Sequence, residues 1–258
     1  MILIKLGGSV ITDKTQYRTF NREVVRRLCA EIRDSGVKVI ITHGAGSFGH
    51  VIAKEYSLQN GLTEPRQVPA AARVQYDVRE LNLMVIDELL NAGIPAVSVP
   101  PGSCFMMDDG KLLLNDPEVL LSASRMGIIP IMFGDVVFDR SKGFGICSGD
   151  QIVEVLCRVY HPDRVIFVSD VDGLFDKDPK TNPDAKLLPE VTSELLEGVS
   201  SSSSVDDVTG GVRAKMEAML RMTTPDMDCV LVNGSVKGRL YSILKGDRVI
   251  STTVKGGL

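Results

Sequence analysis

The 258-residue sequence has no tryptophan, five tyrosines and three histidines, so it offers few aromatic platforms for stacking nucleic-acid bases. It has no run of 18 apolar residues, which a membrane-spanning helix needs, and its apolar amino terminus is too short for a signal peptide. With 29 basic and 33 acidic residues and no long run of either sign, it lacks the basic stripe of a nucleic-acid-binding protein. We expect a soluble, cytoplasmic protein with no nucleic-acid or membrane partner.

Cysteine is also sparse and shows no paired C-x-x-C spacing. The five cysteines are Cys29, Cys104, Cys147, Cys157 and Cys229. An odd number at wide spacing argues against a disulfide framework and against a zinc site. We expect reduced thiols that pack as small core residues, and no metal ion held by side chains alone.

Short apolar runs alternate with helical patterns along the chain. The predicted strands cover 2–6, 37–41, 96–99, 128–133, 165–169 and 230–232, and the predicted helices cover 21–36, 72–91, 150–160 and 209–222. Strands that are apolar throughout and separated by helices indicate a parallel sheet covered on both faces. No strong linker or repeat interrupts the pattern, so we predict a single α/β domain with two lobes.

Glycine lies at the carboxyl ends of four predicted strands, at Gly7, Gly44, Gly134 and Gly234. Open α/β sheets bind ligands in the crevice at those ends. Two of these glycines begin glycine-rich turns, K-L-G-G-S at 5–9 and H-G-A-G-S-F-G-H at 43–50. Glycine lets consecutive N–H groups converge on an anion, and a following helix adds its positive end. The turns therefore predict a phosphate site.

The second turn also matches the dinucleotide fingerprint G-x-G-x-x-G at Gly44, Gly46 and Gly49. However, the turn follows the second predicted strand, and the acidic residue expected about 20 positions later is Glu64, in a turn-like segment. A dinucleotide-binding oxidoreductase is therefore the distant alternative. The P-loop pattern G-x-x-x-x-G-K-[ST] is absent.

Three lysines are attached to the glycine-rich segments: Lys5 in the first turn, Lys14 nine residues later, and Lys215 after Gly211. Phosphoryl transfer depends on in-line positioning and on positive charge at the phosphate oxygens. Two unit charges 4 Å apart interact by about 4 kcal/mol at an effective dielectric constant near 20. His50 closes the second turn, where its imidazole can donate to a phosphate oxygen. These residues predict a kinase site.

Together, the motifs resemble the amino acid kinase family, whose members place K-x-G-G-S after the first strand and a glycine-rich turn after the second. Three further blocks agree: S-G-D at 148–150, S-D-V-D-G at 169–173 with K-D-P at 177–179, and D-V-T-G-G at 207–211. The resemblance spans nearly the whole chain and is strongest to members that phosphorylate isopentenyl phosphate. It implies a three-layer αβα sandwich, with an acceptor-binding lobe at 1–145 and a nucleotide-binding lobe at 146–258.

The same resemblance implies ATP-dependent conversion of isopentenyl phosphate to isopentenyl diphosphate in isoprenoid biosynthesis, with Mg²⁺ held mainly by phosphates. The implied ATP-binding residues are Lys5, Gly7, Gly8, Ser9, Gly46, Asp170, Lys177, Gly211 and Lys215. The implied acceptor-binding residues are Ala45, Gly46, His50 and Gly149. Lys14 would stabilise the transferring group, and Asp150 would orient Lys5 and Lys215. No general base is needed, because a phosphate monoester is already ionised near neutral pH.

The helix predicted over 72–91 has two apolar rows, Val74, Val78, Leu81, Val85 and Leu89 in one and Leu83, Ile86 and Leu90 in the other. A helix that is apolar on two sides is buried on both. Two explanations are open. The helix packs on the sheet and also makes a homodimer contact, or part of it lines an apolar substrate pocket. Candidate lining residues for such a pocket are Val78, Met84, Val85 and Ile146. Burying about 100 Å² of a tail there would contribute about 2.5 kcal/mol.

Other acceptors on the same fold stay open, namely a phosphonate such as fosfomycin, a nucleoside monophosphate or an amino acid. The phosphonate is the closest rival, because it too could use the turn histidine. No polar cradle for an amino group is evident near the second turn. A non-catalytic nucleotide sensor is a further alternative. The family often has glycine where this sequence has Ala45. An alanine there requires a negative φ.

Overall fold

The structure, a computed structural model, describes residues 1–13, 15–177, 182–192, 194–195 and 217–256. Three predicted site residues, Lys14, Gly211 and Lys215, lie outside these ranges. The serine run at 200–204 and the first part of the helix predicted over 209–222 also lie outside them.

Strands and helices alternate along the described chain. The strands are β1 (Ile2–Leu6), β2 (Val39–His43), β3 (Ala96–Ser98), β4 (Phe105–Asp108), β5 (Lys111–Leu114), β6 (Ile129–Phe133), β7 (Asp135–Asp139), β8 (Gly143–Cys147), β9 (Arg164–Ser169), β10 (Leu174–Phe175), β11 (Leu187–Leu188), β12 (Glu190–Val191), β13 (Asp228–Asn233) and β14 (Ser251–Val254). The helices are α1 (Gly8–Ile11), α2 (Arg22–Ser35), α3 (Gly46–Glu55), α4 (Gln67–Asn91), α5 (Pro101–Cys104), α6 (Glu118–Arg125), α7 (Gly149–Tyr160) and α8 (Arg239–Leu244), with a 3₁₀ turn at Leu58–Asn60 and helical residues at 217–222.

The main sheet has eight strands in the order β12-β14-β13-β9-β1-β2-β6-β3. From β13 to β3 all neighbouring strands are parallel, and β14 pairs antiparallel with β13. Successive residues of β1 point to opposite faces, so that Leu3 packs in the core beneath α7 while Ile4 packs in the core beneath α2 and α4. Helices therefore cover both faces, and the predicted mainly parallel α/β architecture is confirmed.

A second sheet of four strands, β5-β4-β7-β8, was not predicted from the sequence. Its strand β7 follows Gly134 directly, and β8 leads into α7 at Ser148, so the small sheet is inserted beside the strand ends of the main one. The β4–β5 turn has positive φ at Asp109 (48°) and Gly110 (79°), the arrangement of a type I′ hairpin turn. The Asp-Gly pair was the sequence signal for this hairpin.

The long helix α4 begins at Gln67, five residues before the predicted start. The buried Gln67 side chain fixes this start, because its Oε1 accepts the N–H groups of Thr63 (2.7 Å) and Glu64 (3.1 Å). The first apolar row of α4 is buried, as predicted. In the second row Ile86 is buried, whereas Leu83 is 61% exposed and Leu90 is 53% exposed.

All five cysteines are free, and Cys29, Cys147 and Cys229 are buried. Burial raises the pKa of Cys29 to about 12, which disfavours the thiolate. Among the described residues, no helix combines the length and the apolarity needed to cross a lipid bilayer.

Candidate functional site

The carboxyl ends of β9 and β1 and the turn after β2 meet at one edge of the main sheet and open into a cleft of about 640 Å³. Seven of the predicted site residues line it: Lys5, Gly7, Gly8, Ser9, Gly46, His50 and Asp150. The chain segments that carry them are up to 145 residues apart in sequence, and the parallel strand order brings them together.

The two glycine-rich turns touch each other backbone to backbone in this cleft. A Cβ atom on Gly8 would lie 2.6 Å from the nitrogen and 2.7 Å from the Cα of Gly46. Gly46 itself has φ 51°, and a Cβ atom there would overlap the Thr12 hydroxyl. Ala45, the residue just before Gly46 in the second turn, has φ −71° and ψ −21°, so alanine fits at this position without strain. Only glycine fits at positions 8 and 46.

Two helices begin at the cleft and direct their positive ends into it. One is α3, which starts at Gly46, and the other is α7, which starts at Gly149. Ser148 and Gln151 form a capping box on α7: the Gln151 N–H donates to Ser148 Oγ (3.2 Å), and the Ser148 N–H donates to Gln151 Oε1 (3.0 Å). This cap fixes the first turn of α7, which carries Gly149 and Asp150.

Lys5, on β1, is held by Asp150. Its Nζ lies 2.6 Å from Asp150 Oδ1, and its side chain is only 14% exposed. The ammonium group also lies 5.6 Å from the centroid of the Phe167 ring. The ion pair and the ring restrict the Lys5 side chain to one orientation, with its charge at the mouth of the first glycine-rich turn.

Ser9 connects the first turn to the loop after β9, because its hydroxyl donates to Asp170 Oδ1 at 2.6 Å. In the same loop Asp172 binds Arg239 and accepts from Asn233 Nδ2 at 3.1 Å. The Arg239 guanidinium lowers the pKa of Asp172. Lys177, predicted as a nucleotide ligand, forms an ion pair with Asp184 in the connection from β10 to β11.

A smaller cavity of about 150 Å³ adjoins the cleft and shares Lys5, Gly8, His50 and Asp150 with it. The remainder of its wall is largely apolar and includes Ala45, Ala53, Val74 and Ile146, with Gly134, Asp135 and Gly149 beside them. Among the predicted apolar residues, Ile146 lines this cavity.

The other three predicted pocket residues lie elsewhere. Val78 and Val85 are fully buried in the core, and Met84 packs against its edge. Val78 lies in the core where α3 closely approaches α4 at Gly49, since a Cβ atom on Gly49 would lie 3.2 Å from Val78. Ala53 and Val74 line the cavity but were not predicted to do so, although Val74 lies one helical turn before Val78 in the same apolar row.

The two histidines near the second turn have different environments. His50 is exposed on α3 and lines both cavities. His43, at the end of β2, is fully buried, stacks on Phe133 and has its Nδ1 2.9 Å from the Gly44 carbonyl oxygen. Burial lowers the pKa of His43, so its imidazole is neutral near neutral pH. Its contacts with Phe133 and with the Gly44 carbonyl stabilise the start of the second glycine-rich turn.

Acidic groups near the small cavity are already engaged. Asp135 is buried, and its two carboxylate oxygens accept the N–H groups of Gly102 (3.0 Å) and Val136 (2.8 Å). Burial raises the pKa of Asp135. Among the described residues, no group of three or more His, Cys, Asp or Glu side chains is placed to hold a metal ion.

Comparison with known proteins gives consistent matches over the chain. Residues 1–233 match the model of the amino acid kinase family. Isopentenyl phosphate kinase of Thermoplasma acidophilum is 35% identical over 256 residues, which are 99% of this chain and 100% of that protein. Isopentenyl phosphate kinase of Methanothermobacter thermautotrophicus is 36% identical over 268 aligned positions and 99% of each chain. A crystal structure of an isopentenyl phosphate kinase superposes with a TM-score of 0.87 at 33% identity, covering 99% of this chain and 100% of the other.

Proposed function

Because the chain belongs to the amino acid kinase family, we propose that it transfers the terminal phosphoryl group of ATP to isopentenyl phosphate, forming isopentenyl diphosphate. The observation that carries this proposal is the contact between the two glycine-rich turns. It places a large cleft and a small, largely apolar cavity side by side, with four residues common to both. In this arrangement two phosphate groups would meet end to end.

ATP phosphates would bind the first turn, through the Gly8 N–H group, the Ser9 hydroxyl and the Lys5 ammonium. Gly7 would line this site without donating to it, because its N–H donates to the Val168 carbonyl oxygen at 2.8 Å. Lys5 would neutralise charge on the transferring group, since phosphoryl transfer is catalysed by positioning and electrostatic stabilisation. Asp150 would act as a positioning residue that holds Lys5. Lys14 would stabilise the transferring phosphoryl group. Asp170, Lys177, Gly211 and Lys215 would complete the nucleotide site, which we assign mainly to the 146–258 lobe.

The acceptor phosphate would lie between the second turn and α7, near the Ala45, Gly46 and Gly149 N–H groups and the His50 ring. The small cavity would receive the five-carbon tail against Ala53, Val74 and Ile146. Its volume of about 150 Å³ is of the order that binds benzene in an apolar protein cavity. An amino acid acceptor would need a carboxylate for its ammonium group, and Asp135 is already engaged by two N–H groups.

Magnesium fits this site as an ion that enters with ATP. Mg²⁺ keeps several water ligands and is usually bound by substrate phosphates with one or two carboxylates, so a dedicated cage of side chains is not required. The described residues provide no such cage. When bound, the ion would supply further positive charge to the phosphate oxygens.

Replacing His50 with alanine tests the acceptor assignment. We expect His50→Ala to lower kcat/KM for isopentenyl phosphate about 10²-fold, since a hydrogen-bond donor aimed at the reacting group is lost. The KM for ATP should change little. ADP release, measured with isopentenyl phosphate and with a panel that includes a phosphonate, a nucleoside monophosphate and an amino acid, gives the result directly.

His161→Asn is the matched control for this measurement. His161 caps the opposite end of α7 with φ 45°, a conformation that asparagine tolerates. The control should keep the turnover of the unsubstituted protein. Full turnover in His50→Ala would remove the role of His50, and preferential ADP release with another acceptor would replace isopentenyl phosphate as the substrate.

We also propose that two copies of the chain associate through α4 and the adjacent sheet edge. Tyr76, Leu83 and Leu90 follow one another at seven-residue spacing on α4, and all three are exposed. The neighbouring strand β3 is the last in the main sheet, and Val97 on it is also exposed. An apolar helix stripe next to an open strand edge is suited to a two-fold interface that covers both.

A charge in this stripe should separate the two copies. We expect Leu83→Glu to halve the molar mass measured by light scattering, because the carboxylate would have to be desolvated in the interface. Val119→Glu, at an exposed apolar position in the first turn of α6, is the control and should not change the mass. An unsubstituted protein of monomer mass would rule out the proposal.

A further inference from the structure

Asp77, on α4, is a buried carboxylate that the mechanism above does not use. Its side chain is 0% exposed. Tyr17 donates its hydroxyl to Asp77 Oδ2. Arg73 Nε lies 3.0 Å from Asp77 Oδ1, and Arg18 Nε lies 3.6 Å from the same atom. A buried carboxylate is costly unless it is paired, and two of its three partners here come from the segment between α1 and α2.

That segment, residues 12–20, is closed into a loop that we call the 12–20 hairpin. Thr12 and Phe20 form an antiparallel bridge, and the Asp13 N–H donates to the Thr19 carbonyl oxygen at 3.0 Å. Asp13 Oδ1 accepts both the N–H and the hydroxyl of Thr15, at 2.8 and 2.7 Å. The residues on either side of Lys14 are therefore fixed to each other.

The base of the 12–20 hairpin is attached to both glycine-rich turns. The Thr12 hydroxyl donates to the Gly8 carbonyl oxygen at 2.6 Å and accepts the Ser47 N–H at 3.0 Å. The same hydroxyl lies against Gly46. A change in the orientation of the hairpin is therefore transmitted to the point where the two turns meet.

The far part of the hairpin is attached to α4. Arg18 binds Glu80, one turn after Asp77, and its guanidinium lies 5.9 Å from the centroid of the Phe48 ring. Arg18 also has φ 58°, a conformation that residues other than glycine keep only where the surroundings hold them. Asp77, through Tyr17 and Arg18, is the buried centre of this attachment.

We propose that Asp77 is a positioning residue for phosphoryl transfer: it fixes the 12–20 hairpin on α4, and with it the residues on either side of Lys14, relative to the two glycine-rich turns. The inference rests on the proposed function, in which Lys14 stabilises the transferring group. Misplacing a catalytic group by about 1 Å costs about 10²-fold in rate. Loss of the attachment therefore acts on turnover more than on nucleotide binding.

Two substitutions and one control test this. Asp77→Asn removes the charge, and Tyr17→Phe removes one hydroxyl from a half-exposed side chain with little risk to folding. Glu88→Gln is the control, since Glu88 is also on α4, is 0% exposed and binds Arg22 and Arg26 of α2. It lies 11 residues beyond Asp77, about 16 Å along the helix axis. Glu88→Gln should lower the melting temperature without lowering kcat.

For Asp77→Asn we expect kcat to fall at least about tenfold, and for Tyr17→Phe about threefold, while the KM for ATP stays within about twofold. In a Lys14→Ala background the further effect of Asp77→Asn on kcat should shrink to less than about twofold, as for residues that act as a unit. An unchanged kcat in Asp77→Asn, or an undiminished loss in the Lys14→Ala background, would overturn the proposal.

Hydrogen exchange provides a readout that needs no turnover. Peptides covering 12–20 should exchange at least about tenfold faster in Asp77→Asn, whereas the peptide covering β2 should not change. Unchanged exchange over 12–20 would show that Asp77 does not hold the hairpin. A protein that is inactive with isopentenyl phosphate would refute the proposed function, and the exchange measurement would still decide whether the attachment exists.

Discussion

Replacing Lys5 with methionine should lower kcat with isopentenyl phosphate by about 10²–10³-fold, the loss typical when one preorganised electrostatic group is removed from a reacting centre. Methionine keeps most of the length of the side chain but removes the ammonium group, and with it the ion pair to Asp150 and the contact with the Phe167 ring. The ion pair with Asp150, at 2.6 Å, holds that ammonium in place before substrate arrives. Steady-state kinetics with both substrates measures the effect, and the melting temperature reports on folding.

The control for this experiment is Lys142→Met. Lys142 also forms an ion pair, with Asp109 at 2.8 Å, but both side chains are exposed at the ends of the small sheet. Exposed ion pairs contribute little, about 0.2–1 kcal/mol, so kcat should be unaffected. A Lys5→Met protein that retains kcat within about threefold of the unsubstituted value would place the chemistry away from the first glycine-rich turn.

Gly8→Ala should disrupt both cavities at once. The added methyl group would lie 2.6 and 2.7 Å from backbone atoms of Gly46, and backbone cannot rotate aside as a flexible side chain can. We expect kcat/KM to fall at least about 10²-fold for both substrates, because the two phosphates would be forced apart. The free energy of unfolding should fall by about 1–3 kcal/mol, the usual cost of overpacking. Kinetics and chemical denaturation measure the two effects.

Gly110→Ala is the control for Gly8→Ala, because it introduces backbone strain without overpacking. Gly110 has φ 79° and open space around its Cα, so alanine there should cost about 1–2 kcal/mol of stability from its left-handed conformation alone. Turnover should be retained. If Gly8→Ala behaves in the same way, with lower stability but normal kinetics, the contact between the turns does not set the distance between donor and acceptor.

The main sheet could be predicted from sequence because its central strands are buried on both faces. Such strands are continuous apolar runs, and four of the predicted ones are followed by a glycine at the crevice. The predicted 165–169, for example, became β9 at Arg164–Ser169. The small sheet was missed because its hairpins are short and only partly apolar. Its Asp109-Gly110 turn was the available signal.

The residues around the two glycine-rich turns could be predicted from the sequence better than the lining of the small cavity. Glycines and lysines next to strand ends have few structural explanations, and their motifs are local. The lining of the small cavity depends instead on the rotation of α4 about its axis and on how closely α3 approaches it at Gly49. Val74 and Val78 are both buried, but only Val74 also lines the small cavity. The attachment of Tyr17 to Asp77 joins residues 60 positions apart, which no local pattern encodes.

The shared boundary of the two cavities has a consequence for inhibitor design. Lys5, Gly8, His50 and Asp150 border both, so one linear compound that joins a nucleotide through a phosphate chain to a short alkyl group would extend from one into the other. Linking the two ends makes the second binding event intramolecular and raises its effective concentration. Selectivity among kinases of this fold would come from the alkyl end, where Ala53, Val74 and Ile146 set the shape that it must fit.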